Sequence, residues 1–386
     1  MTLEALARMP GPARFVAAVE EAAATNPVVV VVFPDHAVTD GTADQILDEL
    51  SATITSSCGL ECADDVFPVR VLASFGARGA ELTDYDDWDT IINWTGWHGQ
   101  TVIVPAWEHP DVSDIINRWI PQPRASTLAP DRIPTLLIAT SLEYTDRLVI
   151  DRLDPTVVSV HWWWGVFDRL DTELQLSTVT VSRPVGDLVA VAVMVELSGW
   201  DLSFLHNLVD NWDRRTDSAA GVVGQWRQSR ESIDSAVAGQ WVHYPGEPLP
   251  TSPPPPIQDA WRTGRIDRWG HHIRWAPHAI DEAEVHRRLW LAHNRALIGH
   301  VDEERTHFEK TIRDMISDTD LATLDDPSSE IIEIGSLYWL SHKASVRLSH
   351  EQKRRLRHFR DLRNALAHQT PLNDVQLDAT RTYLAF

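Results

Sequence analysis

Val28-Val29-Val30-Val31-Val32-Phe33 is an unbroken run of β-branched and aromatic residues, and Pro34 ends it. A continuous run of this length fits a strand buried on both faces, whereas a half-exposed strand alternates. Upstream, Arg14–Ala24 reads as a helix with Phe15, Val16 and Val19 on one side. Downstream, Thr42–Ile54 reads as another. Further strand candidates are Val66–Ala73, Thr101–Val104, Thr135–Ala139 and Val157–Val160, with helices between them at Val112–Trp119 and Leu142–Leu153. Alternating strands and helices predict an α/β domain built on a mostly parallel sheet with helices on both faces.

After about residue 200 the strand signals fade. Asp201–Arg214 and Gly224–Gly239 are helical candidates. Tyr244–Ile257 contains Pro245, Pro248, Pro250 and the run Pro253–Pro256. Proline continues neither a helix nor a sheet ladder, so a linker is expected there. Beyond it, apolar residues at three- and four-residue spacing mark a long helix over Asp281–Met315. Ile331–Leu340 is a second helix. Ser349 starts a third, with Gln352 three positions on as in a capping box. That helix runs through Leu356, Phe359, Leu362 and Leu366 and ends before Pro371, and Asp374–Leu384 forms a last one. The expected organisation is an α/β domain with trailing helices over 1–243, a linker over 244–258 and an all-α bundle over 259–386.

Charge narrows the function. The chain carries 34 Lys+Arg against 56 Asp+Glu, a net of -22, which argues against a general nucleic-acid binder. The acid is unevenly spread, since residues 281–386 hold 15 basic and 18 acidic residues. Within them, Lys343–Arg363 holds eight basic residues and only Glu351 and Asp361 as acids. Two readings stand for this stretch: a solvated helix face, or an RNA-facing one presenting Lys353, Arg354, Arg357 and Arg360.

Lysine is scarce. Lys310, Lys343 and Lys353 are the three in the chain. A phosphate-binding loop needs a lysine on the β/γ-phosphates, and a Schiff base needs one as nucleophile, so the first 300 residues support neither. Cys58 and Cys62 are the two cysteines, too few for a tetrahedral zinc site or a disulfide framework. No apolar run approaches the roughly 18 residues of a membrane helix. Met1–Pro12 has no basic start leading into an apolar stretch, so no signal peptide is expected. Cytoplasmic localisation, with no cofactor and no metal, is the simplest expectation.

The chemistry-bearing stretch is Arg360-Asp361-Leu362-Arg363-Asn364-Ala365-Leu366-Ala367-His368-Gln369-Thr370-Pro371-Leu372. Arg-x4-His occurs three times, at Arg288–His293, Arg295–His300 and Arg363–His368, and only the last has Asn after the Arg. This stretch, late in a helical bundle, resembles the Arg-x4–6-His signature of HEPN domains, helical folds found in many bacterial RNA-cutting effectors. The resemblance covers about the last 105 residues. It implies a metal-independent endoribonuclease whose two motifs meet at a homodimer interface, in a defence or stress-response setting. His368 would be the general acid/base, Arg363 the clamp on phosphate oxygens and Asn364 the orienting group. The RNA's own 2′-hydroxyl would attack, leaving 2′,3′-cyclic phosphate. A structural alternative pairs Arg363 with an acid such as Glu333 and leaves His368 as a helix C-cap. In that case the bundle is a non-catalytic adaptor in a hetero-complex with other defence proteins.

Other motifs carry less. His286, His293 and His300 recur every seven residues, as a metal stripe or as bundle- or dimer-facing polar positions. Trp162-Trp163-Trp164 could stack bases, though core packing is the commoner use. His271-His272 reads as a surface pair. The loop Pro34–Thr42 follows the first strand where an NTPase phosphate loop sits, without the lysine or the glycine pattern. With Thr140 after the fourth strand and Asp168–Asp171 after the fifth, the layout resembles a degenerate AAA+ or STAND-type NTPase domain. ATP hydrolysis is not expected of it. A nucleotide-sensing domain of CARF type, paired with HEPN in CRISPR ancillary ribonucleases, is the competing analogy.

Overall fold

The computed structural model describes residue 6 and residues 8–54, 57–59, 67–87, 89–108, 112–180, 187–230, 248–324 and 331–384. The chain divides into two compact units. One comprises Met1–Asp171 with Ala236–Trp275, and the other Thr172–Ser235 with Ala276–Phe386.

The first is the α/β unit. Helices α1 (Pro10–Thr25) and α2 (Thr42–Thr53) flank β1 (Val28–Phe33), whose six residues are all fully buried. Strands β2 (Ser57–Gly59), β3 (Thr101–Pro105), β4 (Thr135–Ser141) and β5 (Val158–Trp162) complete a sheet in the order β2-β3-β4-β1-β5. Every pairing is parallel, with Val28 opposite both Leu136 and Val158. Side chains alternate between faces. Val28, Val30 and Val32 join one core cluster with Ile115, Ile116 and Trp119, which lie in a helix over Val112–Trp119. On the other face the Phe33 ring lies 6.4 Å from that of Phe15 in α1. The β-branched run thus occupies the two-sided interior that its composition predicts.

Several expectations are corrected. Val66–Ala73 is not a strand: Phe67–Ser74 is α3, and the edge position belongs to Ser57–Gly59. An eight-residue apolar run reads equally as strand or buried helix, while Ser-Cys-Gly has no apolar signal at all. Of Leu142–Leu153, only Arg147–Asp151 is helical, with the Asp146 carboxylate accepting from the Leu148 amide. Val112–Trp119, as expected, is α4, and Arg147–Asp151 is numbered α5. Strands also return after residue 200, as a hairpin of β6 (Ile266–Trp269) and β7 (His272–Trp275). Its pattern is masked because the cross-strand pair Asp267 and Arg274 is buried. Burial pushes the Asp267 carboxyl up to about 7. His271 and His272, read as a surface pair, are exposed.

The proline-rich stretch differs from a free spacer. The Trp164 indole donates to the Pro250 carbonyl at 3.1 Å, and Arg147 donates to that of Pro253 at 2.9 Å. Trp261 is fully buried and donates to the Trp163 carbonyl at 3.2 Å. Residues 248–275 are therefore part of the α/β unit, and the units are not divided at 244–258.

The second unit is helical. It takes α6 (Leu188–Ser198), α7 (Leu202–Asn211) and α8 (Thr216–Ser229) together with α9 (Glu282–Arg313), α10 (Ile334–Leu340), α11 (His350–Ala367) and α12 (Asp374–Leu384). The expected helix over Gly224–Gly239 is observed from Thr216 to Ser229, and residues 231–239 lie outside the described residues. Helix α6 is apolar on nearly every side and packs along α9. Its one acid, Glu196, is fully buried and meets Arg295 at 2.7 Å. Arg288, also fully buried, binds Glu284 at 2.9 Å and the Leu197 carbonyl at 3.2 Å. Both of these buried charges thus have partners, as their desolvation requires. Among the described residues no helix is long and apolar enough to cross a membrane.

Candidate active site

Helix α11 opens with the predicted capping box. The Ser349 hydroxyl accepts from the Gln352 amide at 3.1 Å, and the Gln352 side chain accepts from the Ser349 amide at 2.8 Å. Leu356, Phe359, Leu362 and Leu366 are buried, and α11 contacts α9, α10 and α12. On the opposite side, Lys353, Arg357, Arg360 and Asn364 follow at intervals of four, three and four, and His368 four further on. This stripe is about 22 Å long at 1.5 Å per residue.

Most of the basic charge on α11 is already answered within the chain. Arg354 pairs with Glu351. Arg355 makes two bonds to Glu304 at 2.7 and 2.6 Å. Arg357 lies 3.9 Å from Asp361. Arg360 bonds Asp361 at 2.9 Å and stacks 4.0 Å from the Tyr338 ring centroid. Among the RNA-binding candidates, Lys353 is left half-buried with no ion pair among the described residues. Tyr338 as the seat of Arg360 had no signal in the sequence.

The three motif residues differ from their neighbours. Arg363 is half-buried, and Asn364 and His368 are exposed. Four of the five arginines of α11 are in ion pairs, and Arg363 is the fifth. The pair with Glu333 is not formed, and none of the three side chains makes a hydrogen bond among the described residues. Asn364 and His368 are separated by about 40° around the helix, but Arg363 and His368 by about 140°.

His368 is the C-cap of α11, and its amide donates to the Asn364 carbonyl at 3.0 Å. Gln369 then turns left-handed with φ of 56°. Its amide donates to the Leu366 carbonyl at 3.3 Å, and that of Thr370 to the Ala365 carbonyl at 3.0 Å. These two bonds form a Schellman motif, which normally places glycine where Gln369 stands. His368 therefore occupies the C-cap position by its backbone, while its ring is exposed and makes no hydrogen bond among the described residues.

The seven-residue histidine repeat forms no stripe. His286 is exposed, His300 lies 3.3 Å from Glu303, and His293 is fully buried. Burial lowers the His293 pKa to about 4, so the ring is neutral, and its Nδ1 accepts from the Leu372 amide at 3.0 Å. Among the described residues no group of three or more His, Cys, Asp or Glu could hold a metal ion.

In the α/β unit, strand order reverses between β1 and β4, the point at which open parallel sheets bind ligands beyond their carboxyl ends. After β1, Asp35 pairs with Arg262 at 2.7 Å, and the His36 Nδ1 lies 3.4 Å from the Arg262 carbonyl. Thr140, at the end of β4 rather than after it, is buried and bonds the Thr145 hydroxyl at 2.8 Å. Asp171 accepts from the Gly11 amide at 2.8 Å and the Asp168 amide at 2.7 Å, anchoring the start of α1. Trp163 and Trp164 are buried, with the Trp163 ring 5.5 Å from that of Phe33, which is the packing role.

No protein-family model matches the chain, and no curated protein matches it. Among solved structures it is similar to the crystal structure of the FIGL-1 AAA domain, with 10% identity over 74% of this chain and 86% of that one. The TM-score is 0.28, too low to bear on fold or function. The fold itself is an α/β unit on an all-parallel five-stranded sheet, followed by a helical C-terminal region.

Proposed function

We propose that the helical unit is a metal-independent HEPN-type endoribonuclease, controlled by the α/β unit as a sensor or docking domain in bacterial defence or stress response. The observation that carries this reading is the set Arg363, Asn364 and His368, unpaired among the described residues, on a helix whose other arginines are engaged. An imidazole can take and give protons, and a guanidinium holds phosphate oxygens as charge builds on them. In the proposed step the 2′-oxygen bonds to phosphorus and the bond from phosphorus to the 5′-oxygen breaks. His368 takes the proton from the 2′-hydroxyl, and the His368 of the second copy or a solvent water delivers one to the leaving 5′-oxygen. Because Arg363 and His368 diverge by about 140°, one helix does not bring both to one phosphate. Two copies facing each other would bring Arg363 of one near His368 of the other, so this reading calls for a homodimer with a composite cleft.

Incubation of defined RNA with the wild-type chain, His368→Ala and Arg363→Ala tests the reading. Cleavage that both variants lose supports it. The paired arginines and the capping position of His368 favour a second reading, an adaptor that assembles with other defence proteins and cuts nothing. A stable hetero-complex in which every RNA stays intact is the outcome for the adaptor. Control by a nucleotide of the CARF type would require ligand binding to the α/β unit, measurable by calorimetry with candidate nucleotides.

A further inference from the structure

The turn that carries His368 is gripped on both sides by α9. Ahead of it, the Trp290 indole donates to the Leu366 carbonyl at 2.7 Å. Behind it, His293 accepts from the Leu372 amide at 3.0 Å, with Leu372 itself fully buried. Trp290 and His293 lie three apart on α9, so they share one face. Between these two bonds the backbone passes through Gln369, one of two non-glycine residues with positive φ among those described. A left-handed glutamine persists only where its surroundings over-determine it. Just past the turn, Asn373 and Gln376 cap each other reciprocally at 3.0 and 2.9 Å, fixing the start of α12.

We propose that Trp290 and His293 are positioning residues for His368. By fixing the backbone at Leu366 and at Leu372, they hold a turn that a non-glycine residue at Gln369 disfavours, and so aim the exposed imidazole. The Arg288–His293 match, which lacks the Asn, thereby supplies a support for the third match rather than a second reacting pair. Its Nδ1 accepts, so the proton is on Nε2, which has no hydrogen-bond partner among the described residues. The ring is thus held by a single polar contact, and replacing that contact tests the role directly. This inference rests on the ribonuclease reading for its catalytic consequence, but not for its structural one.

The test uses the full chain with isotope-labelled histidine rings. The His368 signal is assigned by its loss in His368→Gln. Three variants are compared with wild type: His293→Phe, which keeps a ring and loses the acceptor; His293→Asn, whose amide oxygen can accept the Leu372 amide; and Trp290→Phe, which loses the indole donor together with part of the ring. The expected result is a shifted or split His368 signal in His293→Phe and Trp290→Phe. Their kcat should fall by about 10- to 100-fold at unchanged KM, and His293→Asn should restore both readouts. If His293→Phe does not fold, Trp290→Phe decides. A folded variant lacking either bond with a wild-type His368 signal overturns the proposal. If wild type cuts no RNA, the ribonuclease reading falls, and the ring signals still decide whether α9 positions His368.

Discussion

Replacing Gln369 by glycine should stabilise the helical unit. Gln369 sits at φ of 56°, where a side chain crowds the following carbonyl at a cost of about 1–2 kcal/mol. Glycine removes that cost but adds unfolded-state freedom worth roughly 0.5–1 kcal/mol. The Thr370 to Ala365 bond and the Gln369 to Leu366 bond come from the backbone and survive the change. The Gln369 side chain is exposed with no hydrogen bond among the described residues, so its loss removes little. The net expectation is a gain of about 0.5–1 kcal/mol, or about 1–4 °C in Tm for a unit of this size. Because the chain has two units and need not unfold in one step, the assay is hydrogen exchange across residues 366–372 together with the melting transition of the helical unit. Gln369→Ala, which keeps the crowding, should show no comparable gain. A Gln369→Gly chain that melts lower than wild type, or exchanges faster at Thr370, refutes the reasoning that this turn is strained and externally held.

The two units should respond to pH with opposite signs. Asp267 holds its proton in the folded chain up to about pH 7 but releases it near 3.8 when unfolded, so the α/β unit loses stability as pH rises through that window, and Asp267→Asn should flatten the response. His293 has a folded pKa of about 4 against 6.5 unfolded, so the helical unit loses stability as pH falls from about 6.5 to 4; urea titrations read unit by unit check both. The α/β unit should not hydrolyse ATP, since no lysine precedes residue 310 and Arg262 is paired with Asp35 in the loop after β1; turnover that disappears on mutating Pro34–Thr42 would show the loop misread. Sedimentation at tens of micromolar should give a homodimer, and a monomer there counts against a composite cleft.

The parts of the fold legible from sequence were those where one physical signal dominates. The β-branched valine run of β1 favours a two-sided strand, and the Ser349 and Gln352 box marked the start of α11 to the residue. Signals failed where burial contradicts composition. Asp267 and Arg274 hide a hairpin because charged residues point inward. The Pro250–Pro256 stretch reads as a spacer because proline's lack of a donor is visible, whereas its carbonyls accepting from Trp164 and Arg147 are not. Residues 172–235 join the helical unit through long-range packing, such as Glu196 on Arg295, that no local window contains. At the candidate site, the positions of Arg363, Asn364 and His368 on one helix end followed from spacing. Their lack of partners did not, and neither did the neutralisation of Arg355 and Arg360 by Glu304 and Asp361.

End-group analysis of RNA treated with the purified protein in EDTA tests the ribonuclease reading most directly. Fragments should end in 2′,3′-cyclic phosphate with 5′-hydroxyl partners. Cleavage should drop by about 100-fold or more in His368→Ala and in Arg363→Ala, and a deoxyribose at the cut site should block it. Intact RNA under every condition, or cleavage that needs metal and leaves 3′-hydroxyl ends, would contradict it.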